Sequence, residues 1–190
     1  MPVKVGVLAL QGAFALHAGV LQGLGAEPAE VRTAEQLDGV DALVLPGGES
    51  TTMSMLLESS GLFDAVAARL RDGMPALGTC AGMILLATDV LDGRPDQRSF
   101  GALDIAVRRN AFGRQVDSFE ADLAVDGVAG RVHAVFIRAP FVERAGADVD
   151  VLARVDGHPV LCRQGRVVAA AFHPELTDDS SVHELFLGLC

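Results

Sequence analysis

The first half of the chain alternates short apolar runs with longer segments whose apolar residues recur at helical spacing. One apolar run, Ala42–Leu45, is continuous and ends at Pro46-Gly47-Gly48, which is typical of a strand buried on both faces. Strands that alternate with helices pair in parallel, because each helix carries the chain back to the same edge of the sheet. The pattern therefore predicts an α/β fold of three layers, in which an open, mostly parallel sheet carries helices on both faces.

The second half of the chain contains short strand patterns and few helical ones. Asp156-Gly157 and Gln164-Gly165 are typical of tight hairpin turns, so we expect these strands to pair antiparallel and to extend the sheet. A final helix is predicted near residues 180–189. The chain has 190 residues, and we expect residues 1–190 to form one domain. The predicted strands cover residues 102–108, 118–125, 132–137, 149–155, 159–163 and 167–172.

The charge of the chain argues against a nucleic-acid partner. The formal net charge is −10 and the longest basic cluster is Arg108-Arg109, whereas phosphate binding needs clustered Lys and Arg. The three cysteines, Cys80, Cys162 and Cys190, are widely spaced and odd in number, so they predict neither a complete disulfide framework nor a zinc site. A reducing cytoplasm suits them best.

The apolar stretch over residues 5–21 superficially resembles a secretion signal. Lys4 is its only basic flank, and Gln11 and His17 interrupt it. The stretch is also too broken to span a bilayer. We therefore interpret it as a strand, a turn and an amphipathic helix, and expect no membrane contact from it.

Cys80 lies in Gly78-Thr79-Cys80-Ala81-Gly82, directly after a short apolar run. A helix is predicted behind it, over residues 82–88. Strand, sharp turn and helix in this order resemble a nucleophile elbow, in which small neighbours permit strained backbone angles. The N-terminus of the helix carries a partial positive charge that favours a thiolate. Cys80 is therefore the candidate nucleophile.

A second motif follows the last predicted strand. His173 and Glu175 are two residues apart in extended chain, so their side chains can point the same way, and Pro174 stiffens the backbone between them. The carboxylate can orient the imidazole, and the imidazole can act as a base for Cys80. The sequence thus predicts a catalytic triad of Cys80, His173 and Glu175.

The candidate motifs share one position, because each follows a predicted strand. Open α/β sheets bind ligands at the carboxyl edge of their strands, so these segments are expected to meet in a single crevice. The segments are Gln11-Gly12, Gly47-Gly48, Cys80 and His173.

The glycine turn after Leu45 predicts an oxyanion hole. Backbone N–H groups of Gly48 and Ala81 are the candidate donors to a developing oxyanion. We also expect Ser50 or Thr51 to cap the following helix while Glu49 faces the substrate.

These motifs resemble those of the class I glutamine amidotransferases, which carry a GxCxG elbow, a PGG turn and an HPE end to the triad. Longer segments are similar to the PdxT family, the glutaminase subunits of pyridoxal 5′-phosphate synthase. The resemblance covers essentially the whole chain and implies a class I glutamine amidotransferase-like, flavodoxin-like fold. The segments are LQG at residues 10–12, PGGESTT at 46–52, GTCAGMILL at 78–86, RRNAFGRQ at 108–115, SFE at 118–120 and FIRAP at 136–140.

The resemblance also implies a set of substrate contacts. Arg109 and Arg138 have independent support, because a guanidinium fork suits the α-carboxylate of an amino acid. A contact at Ile137 would come from its backbone, and Arg114 and Gln115 are weaker candidates that would serve the loop or a partner. The implied contacts to glutamine are Gly48, Glu49, Ser50, Arg109, Ile137 and Arg138.

The implied activity is hydrolysis of L-glutamine to L-glutamate and ammonia through a γ-glutamyl thioester, with no metal and no organic cofactor. The resemblance further implies that ammonia passes to a (β/α)₈-barrel synthase subunit that makes pyridoxal phosphate, a form of vitamin B6. Docking of that subunit would switch the glutaminase on, and Gln11, beside the crevice, is a candidate sensor of the docking.

Three alternatives stay open at this point. The chain could be the glutaminase subunit of another amidotransferase, such as the imidazole glycerol phosphate synthase type. It could also be an intracellular cysteine peptidase of similar fold, or a binding or regulatory module that only retains the fold.

Overall fold

The computed structural model describes residues 1–109 and 118–190, and its first half follows the predicted alternation of strands and helices. The predicted buried strand, Ala42–Leu45, has the same bounds in the structure, and each of its residues is fully buried. The elements are β1 (Lys4–Leu8), α1 (Phe14–Gly23), β2 (Glu27–Val31), α2 (Ala34–Asp38), β3 (Ala42–Leu45), α3 (Ser50–Ser59), α4 (Leu62–Arg71), β4 (Ala76–Thr79) and α5 (Ala81–Leu86).

The second half consists mainly of strands, as expected. A short 3-10 helix, Pro174–Leu176, follows the last strand, and α6 (Ser181–Leu187) comes near the end of the chain. The strands are β5 (Ala87–Val90), β6 (Leu103–Arg108), β7 (Ser118–Ala124), β8 (Arg131–Ile137), β9 (Phe141–Ala145), β10 (Asp150–Val155), β11 (His158–Gln164) and β12 (Val167–Ala170).

The main sheet of the described residues has seven strands in the order β10-β11-β12-β4-β3-β1-β2. The strands from β12 to β2 pair in parallel. With β12 as its fifth strand, this parallel part has the order 2-1-3-4-5 of flavodoxin-like sheets, in which ligands bind at the carboxyl edge. The predicted α/β class is confirmed.

Helices cover both faces of this sheet. The chain moves from β1 toward one edge to form β2, and then crosses back over β1 to form β3. Since parallel crossovers are right-handed, this reversal puts α1 on one face and the helices from α2 to α4 on the other. The helix α5 contacts α3, whereas His183 of α6 contacts His17 of α1. The helices α1 and α6 therefore share a face.

The predicted antiparallel extension is correct for β10 and β11 only. These strands join the main sheet through hairpins at Asp156-Gly157 and at Gly165-Arg166. The remaining strands form a β5-β6-β9 sheet and a separate β7-β8 ribbon. Along β7 exposed residues alternate with residues that are partly or, at Leu123, fully buried. A strand with this pattern buries one face at most, and therefore does not fit the interior of the main sheet.

Two further differences from the prediction concern helices. The helix predicted over residues 82–88 ends at Leu86, because the chain extends from Ala87 to pair with Leu103 in β6. The helix α2 was not predicted, although Thr33 and Gln36 form a capping box in which each side chain accepts from the other residue's backbone N–H.

No helix in the described ranges is long and apolar enough to cross a bilayer.

Candidate active site

Cys80 occupies the tight turn between β4 and α5. Its backbone has φ 50° and ψ −106°, a conformation rarely adopted by side-chain-bearing residues. The backbone N–H of Cys80 donates to Ala170 O of β12 at 2.8 Å, which ties the turn to the strand that precedes His173. The Cys80 residue is 8% exposed and lines a pocket. This geometry is that of the predicted nucleophile elbow.

The glycines of the elbow permit close backbone packing. A Cβ placed on Gly82 would lie 2.0 Å from Leu45 O, and one placed on Gly78 would lie 2.6 Å from the Gly82 carbonyl carbon and oxygen. Both distances are far shorter than a van der Waals contact. The GxCxG spacing therefore lets β3, β4 and α5 approach closely enough to fix the position of Cys80.

His173 and Glu175 form the second part of the site. His173 Nδ1 lies 2.8 Å from Glu175 Oε1, and the Glu175 side chain is fully buried. Burial raises the pKa of Glu175, but the hydrogen bond from His173 and the charge of His173 outweigh burial and lower it below the ordinary value. Glu175 is thus an ionised acceptor that holds the His173 imidazole in one orientation.

Cys80 and His173 are neighbours in the wall of one pocket. Burial lowers the pKa of His173, but the hydrogen bonds to Cys80 and Glu175 outweigh burial and raise it to about 10. A Cβ placed on Gly47 would lie 2.6 Å from His173 Cε1 and 3.4 Å from Cys80 Cβ, so both side chains pack against this glycine. An imidazolium beside the sulfur stabilises a thiolate there.

The turn that contains Gly48 is held by two segments. Gly48 has φ 155°, and the next N–H, that of Glu49, donates to Gln11 Oε1 at 2.8 Å. On the other side of the turn, a Cβ placed on Gly12 would lie 1.7 Å from Gly47 O. Ala81, as the first residue of α5, has an N–H with no intrahelical acceptor. Both predicted oxyanion donors therefore lie beside Cys80, one in the turn and one at the helix start.

A pocket of about 520 Å³ joins these groups at the carboxyl edge of the sheet. The four predicted segments thus meet in one crevice. Gln11 and Ala81 are not part of the wall, but Gln11 contacts the turn and Ala81 follows Cys80. The wall comprises Ala13, Gly48, Glu49, Ser50, Cys80, Ile84, Arg109, Ile137, Arg138, His173, Glu175 and Leu176.

Glu49 caps the N-terminus of α3, a role that was predicted for Ser50 or Thr51. Its carboxylate accepts from Thr51 N at 3.1 Å and from Thr52 N at 2.8 Å, so Glu49 itself caps α3. The prediction that Ser50 or Thr51 caps this helix is wrong, because a glutamate at this position reaches the same orphan N–H groups. Burial raises the pKa of Glu49, but the hydrogen bonds from Thr52 and Thr51 lower it overall.

The two candidate arginines differ in their contacts. Arg109 Nη1 donates to Thr51 Oγ1 at 2.7 Å and to Gln97 Oε1 at 3.3 Å, and it lies 3.7 Å from Glu49 Oε1. Arg138 has φ 42° and makes no hydrogen bond or ion pair through its side chain to any residue in the described ranges. Arg138 is therefore the guanidinium that is free to meet an anion.

Other predicted contacts have specific neighbours. The Ile137 carbonyl oxygen lies 4.0 Å from Cys80 Sγ, which agrees with a contact through the backbone. Ser50 is buried, and its Oγ accepts from Gln97 Nε2 at 3.0 Å. Arg114 and Gln115 lie outside the described residues.

Two residues near the site escaped the sequence analysis. Gln97 lies in a polar segment that resembles an ordinary loop, yet it contacts Ser50, Thr51 and Arg109. His17 interrupts an apolar run, and its Nε2 lies 3.4 Å from Glu175 Oε2. The sequence did carry a signal for His17, because a histidine on the apolar face of a predicted helix must be buried and needs polar partners.

Known proteins of similar sequence identify the family of this chain. Residues 7–190 match the sequence profile of the SNO glutamine amidotransferase family. A protein of Mycobacteroides abscessus named pyridoxal 5′-phosphate synthase subunit PdxT is 60% identical over 189 residues, which cover 100% of this chain and 98% of that protein. A protein of the same name from Frankia alni is 61% identical over 187 residues, which cover 98% of this chain and 94% of that protein.

A solved structure described as a glutamine amidotransferase is also similar. It superposes with a TM-score of 0.92 at 53% sequence identity, covering 97% of each chain. A structure of PurLQS from Thermotoga maritima superposes with a TM-score of 0.70 at 19% identity, covering 99% of each chain, and shares the fold. On the family match, the identity to these relatives and their coverage, the chain belongs to the SNO glutamine amidotransferase family.

Proposed function

We propose that this chain is the glutaminase subunit of a pyridoxal 5′-phosphate synthase and hydrolyses L-glutamine to L-glutamate and ammonia. The observation that carries the chemistry is the Cys80-His173-Glu175 arrangement in the wall of a pocket of about 520 Å³. The choice among amidotransferases is supported by relatives about 60% identical that bear the PdxT name. We also propose that residues 1–190 form one glutamine amidotransferase domain.

Cys80 acts as the nucleophile in this proposal. Its thiolate attacks the carboxamide carbon of glutamine, and a γ-glutamyl thioester forms as the C–N bond breaks. His173 gives its proton to the departing nitrogen, so ammonia leaves as a neutral molecule. The same imidazole then removes a proton from water, which hydrolyses the thioester to glutamate, while Glu175 keeps the ring in its orientation.

Backbone N–H groups stabilise the tetrahedral intermediates. Gly48 and Ala81 are the proposed donors, and loss of one such donor commonly costs about 10²–10³ in rate. Support comes from the positions of the glycine turn and the α5 N-terminus next to Cys80. The close contact of Gly47 O with Gly12 makes the orientation of this turn sensitive to the first strand's loop.

The substrate is held by polar groups around the pocket. Arg138 binds the α-carboxylate, because its guanidinium has no partner among the described residues. Arg109 adds positive charge from a fixed position between Thr51 and Gln97. The remaining proposed contacts are Gly48, Glu49, Ser50 and the Ile137 backbone, all in the pocket wall.

Ammonia passes to a partner subunit, proposed to be a (β/α)₈ barrel that makes pyridoxal phosphate. Gln11 is the proposed link between docking and catalysis, since its side chain accepts from the turn at Glu49 N. Any movement of the Gln11 loop would be transmitted to that turn. We place the enzyme in the cytoplasm, where its free cysteines Cys80, Cys162 and Cys190 would stay reduced.

The test is a glutaminase assay with and without the barrel subunit. Glutamate release is expected to rise when the barrel is added, and Cys80→Ser should abolish it in either condition. Activation by an imidazole glycerol phosphate synthase partner instead would assign the chain to that enzyme, and cleavage of peptides would favour a peptidase. Absence of glutamate release with every synthase would refute the proposal and favour a binding module.

A further inference from the structure

Two buried histidines lie behind the carboxylate of Glu175. His17 comes from α1 and His183 from α6, and both residues are fully buried. His17 Nδ1 lies 2.9 Å from His183 Nε2, and the two rings are tilted by 51° with their centroids 5.2 Å apart. The pair is thus hydrogen-bonded within the layer of helices that α1 and α6 share.

The other end of His17 faces the catalytic groups. His17 Nε2 lies 3.2 Å from Thr79 Oγ1 and 3.4 Å from Glu175 Oε2. Thr79 directly precedes Cys80, so one imidazole contacts both the residue before the nucleophile and the proposed triad acid. Glu175 Oε1 is occupied by His173, whereas Oε2 is buried without a hydrogen-bond partner in the described part of the chain, and His17 Nε2 at 3.4 Å is placed to supply one.

The direction of these hydrogen bonds follows from counting protons. Burial lowers the pKa of His17 and of His183 to about 4, so each ring is neutral at neutral pH and has one donor and one acceptor. An ionised carboxylate only accepts and the Thr79 hydroxyl, 3.2 Å from Nε2, can accept as well, and therefore the proton of His17 belongs on Nε2. His17 Nδ1 then accepts from His183 Nε2–H.

The opposite direction is unfavourable. It would put the lone pair of His17 Nε2 against a buried carboxylate oxygen, so two acceptors would face each other without a proton between them. It would also leave an N–H at His183 Nδ1, an atom that is buried and has no partner within the described residues. Buried N–H groups without acceptors are rarer than unpaired acceptors.

We infer that His17 is a positioning residue of the active site: supported by His183, it donates from Nε2 to Glu175 and holds that carboxylate aimed at His173. This inference rests on the proposed function. His17 does not line the pocket, so it would act on the chemical step and leave glutamine binding unchanged.

The kinetic test uses variants of His17 in the presence of the barrel subunit. His17→Leu removes the donor while keeping an apolar side chain, and kcat should fall about 10- to 100-fold, as expected for a hydrogen bond to a charged group, with KM unchanged. His17→Gln can present an amide N–H near the former Nε2 position and should recover most of kcat. Equal kcat for His17→Leu and the wild type would overturn the inference, as would a loss that appears only in KM.

A control separates positioning from general loss of stability. Leu21 is fully buried on α1, one turn beyond His17, and is outside the pocket wall. Leu21→Ala should lower the melting temperature and keep kcat. If kcat of Leu21→Ala fell as far as kcat of His17→Leu, both losses would be explained by loosening of α1. That result would contradict the inference.

A second readout needs no enzyme activity. Long-range ¹H–¹⁵N correlation spectra of the labelled wild-type chain should show His17 and His183 as neutral rings protonated on Nε2. A His17 protonated on Nδ1, or on both nitrogens at neutral pH, would overturn the inference even if His17→Leu failed to fold. Lack of glutaminase activity in the wild type would refute the proposed function, while these tautomers would still test the hydrogen-bond chain.

Discussion

Substitution of Gly12 by alanine should disable the oxyanion turn without removing any catalytic group. A Cβ on Gly12 would lie 1.7 Å from Gly47 O, whereas real contacts of this kind are almost never shorter than 3.0 Å. The Gly47 carbonyl must therefore retreat by about 1.3 Å, and the peptide that carries the Gly48 N–H moves with it. Misplacement by about 1 Å can cost about 100-fold in rate, and loss of one oxyanion donor costs about 10²–10³.

The chain offers a matched control at Gly25. Gly12 has φ 87° and Gly25 has φ 83°, so an alanine at either position adopts a similarly strained backbone. A Cβ on Gly25 meets no atom within 4 Å. Gly25→Ala should therefore lose stability, by about 1–2 kcal/mol, and keep its glutaminase activity.

The assay is glutamate release at saturating glutamine and saturating barrel subunit, with melting temperatures measured in parallel. Gly12→Ala is expected to lose about 10²-fold or more in kcat, and Gly25→Ala to stay near the wild type. Equal activity of Gly12→Ala and the wild type would refute the reasoning, because the turn would then tolerate the displacement. An equal loss in both variants would assign the effect to backbone strain.

An electrophilic glutamine analogue should label Cys80 and spare Cys162, because burial raises the pKa of the Cys162 thiol to about 12; mass spectrometry of peptides checks this, and equal labelling at Cys162 would contradict the assignment of the nucleophile. Arg138→Ala should raise KM for glutamine about tenfold or more by removing a charge-assisted hydrogen bond, with an unchanged melting temperature; an unchanged KM would exclude the carboxylate contact. Stability should fall as pH drops from 6.5 toward 4, since the unfolded chain protonates His17 and His183 from pH 6.5 while burial lowers their folded pKa to about 4. Urea titrations across this window should show a steeper loss for the wild type than for a variant lacking both histidines, and equal slopes would contradict neutral burial.

The sequence was sufficient to predict the parallel sheet and the motifs at its carboxyl edge. Ala42–Leu45 was recognisable as a strand because every residue in it is apolar and because the two glycines after it favour a turn of the chain. The Cys80 segment was recognisable because its small neighbours allow an approach that no Cβ would permit. These features are local, so their physical consequences can be derived without knowing the rest of the fold.

Pairing between distant strands could not be predicted in the same way. The strands β7 and β8 have alternating patterns that fit either an extension of the main sheet or a separate ribbon. Which of the two forms depends on the surfaces available beside them, and those surfaces are set by the whole fold. The capping residue of α3 could not be predicted for a similar reason. Glu49, Ser50 and Thr51 can all reach the helix N-terminus, and only the geometry of the preceding turn selects Glu49.

The histidine pair illustrates how topology and burial together can complete a site. His17 and His183 are 166 residues apart, and they meet because a right-handed crossover places α1 on one face of the sheet and α6, after β12, packs on the same face. A charged His17 would compete with His173 for the carboxylate of Glu175. Burial lowers the pKa of His17 to about 4 and so keeps it neutral, which adds a donor behind the carboxylate without adding a second positive charge. Glu175 can then keep its attraction for the imidazolium of His173 and still have its second oxygen aligned by the fold.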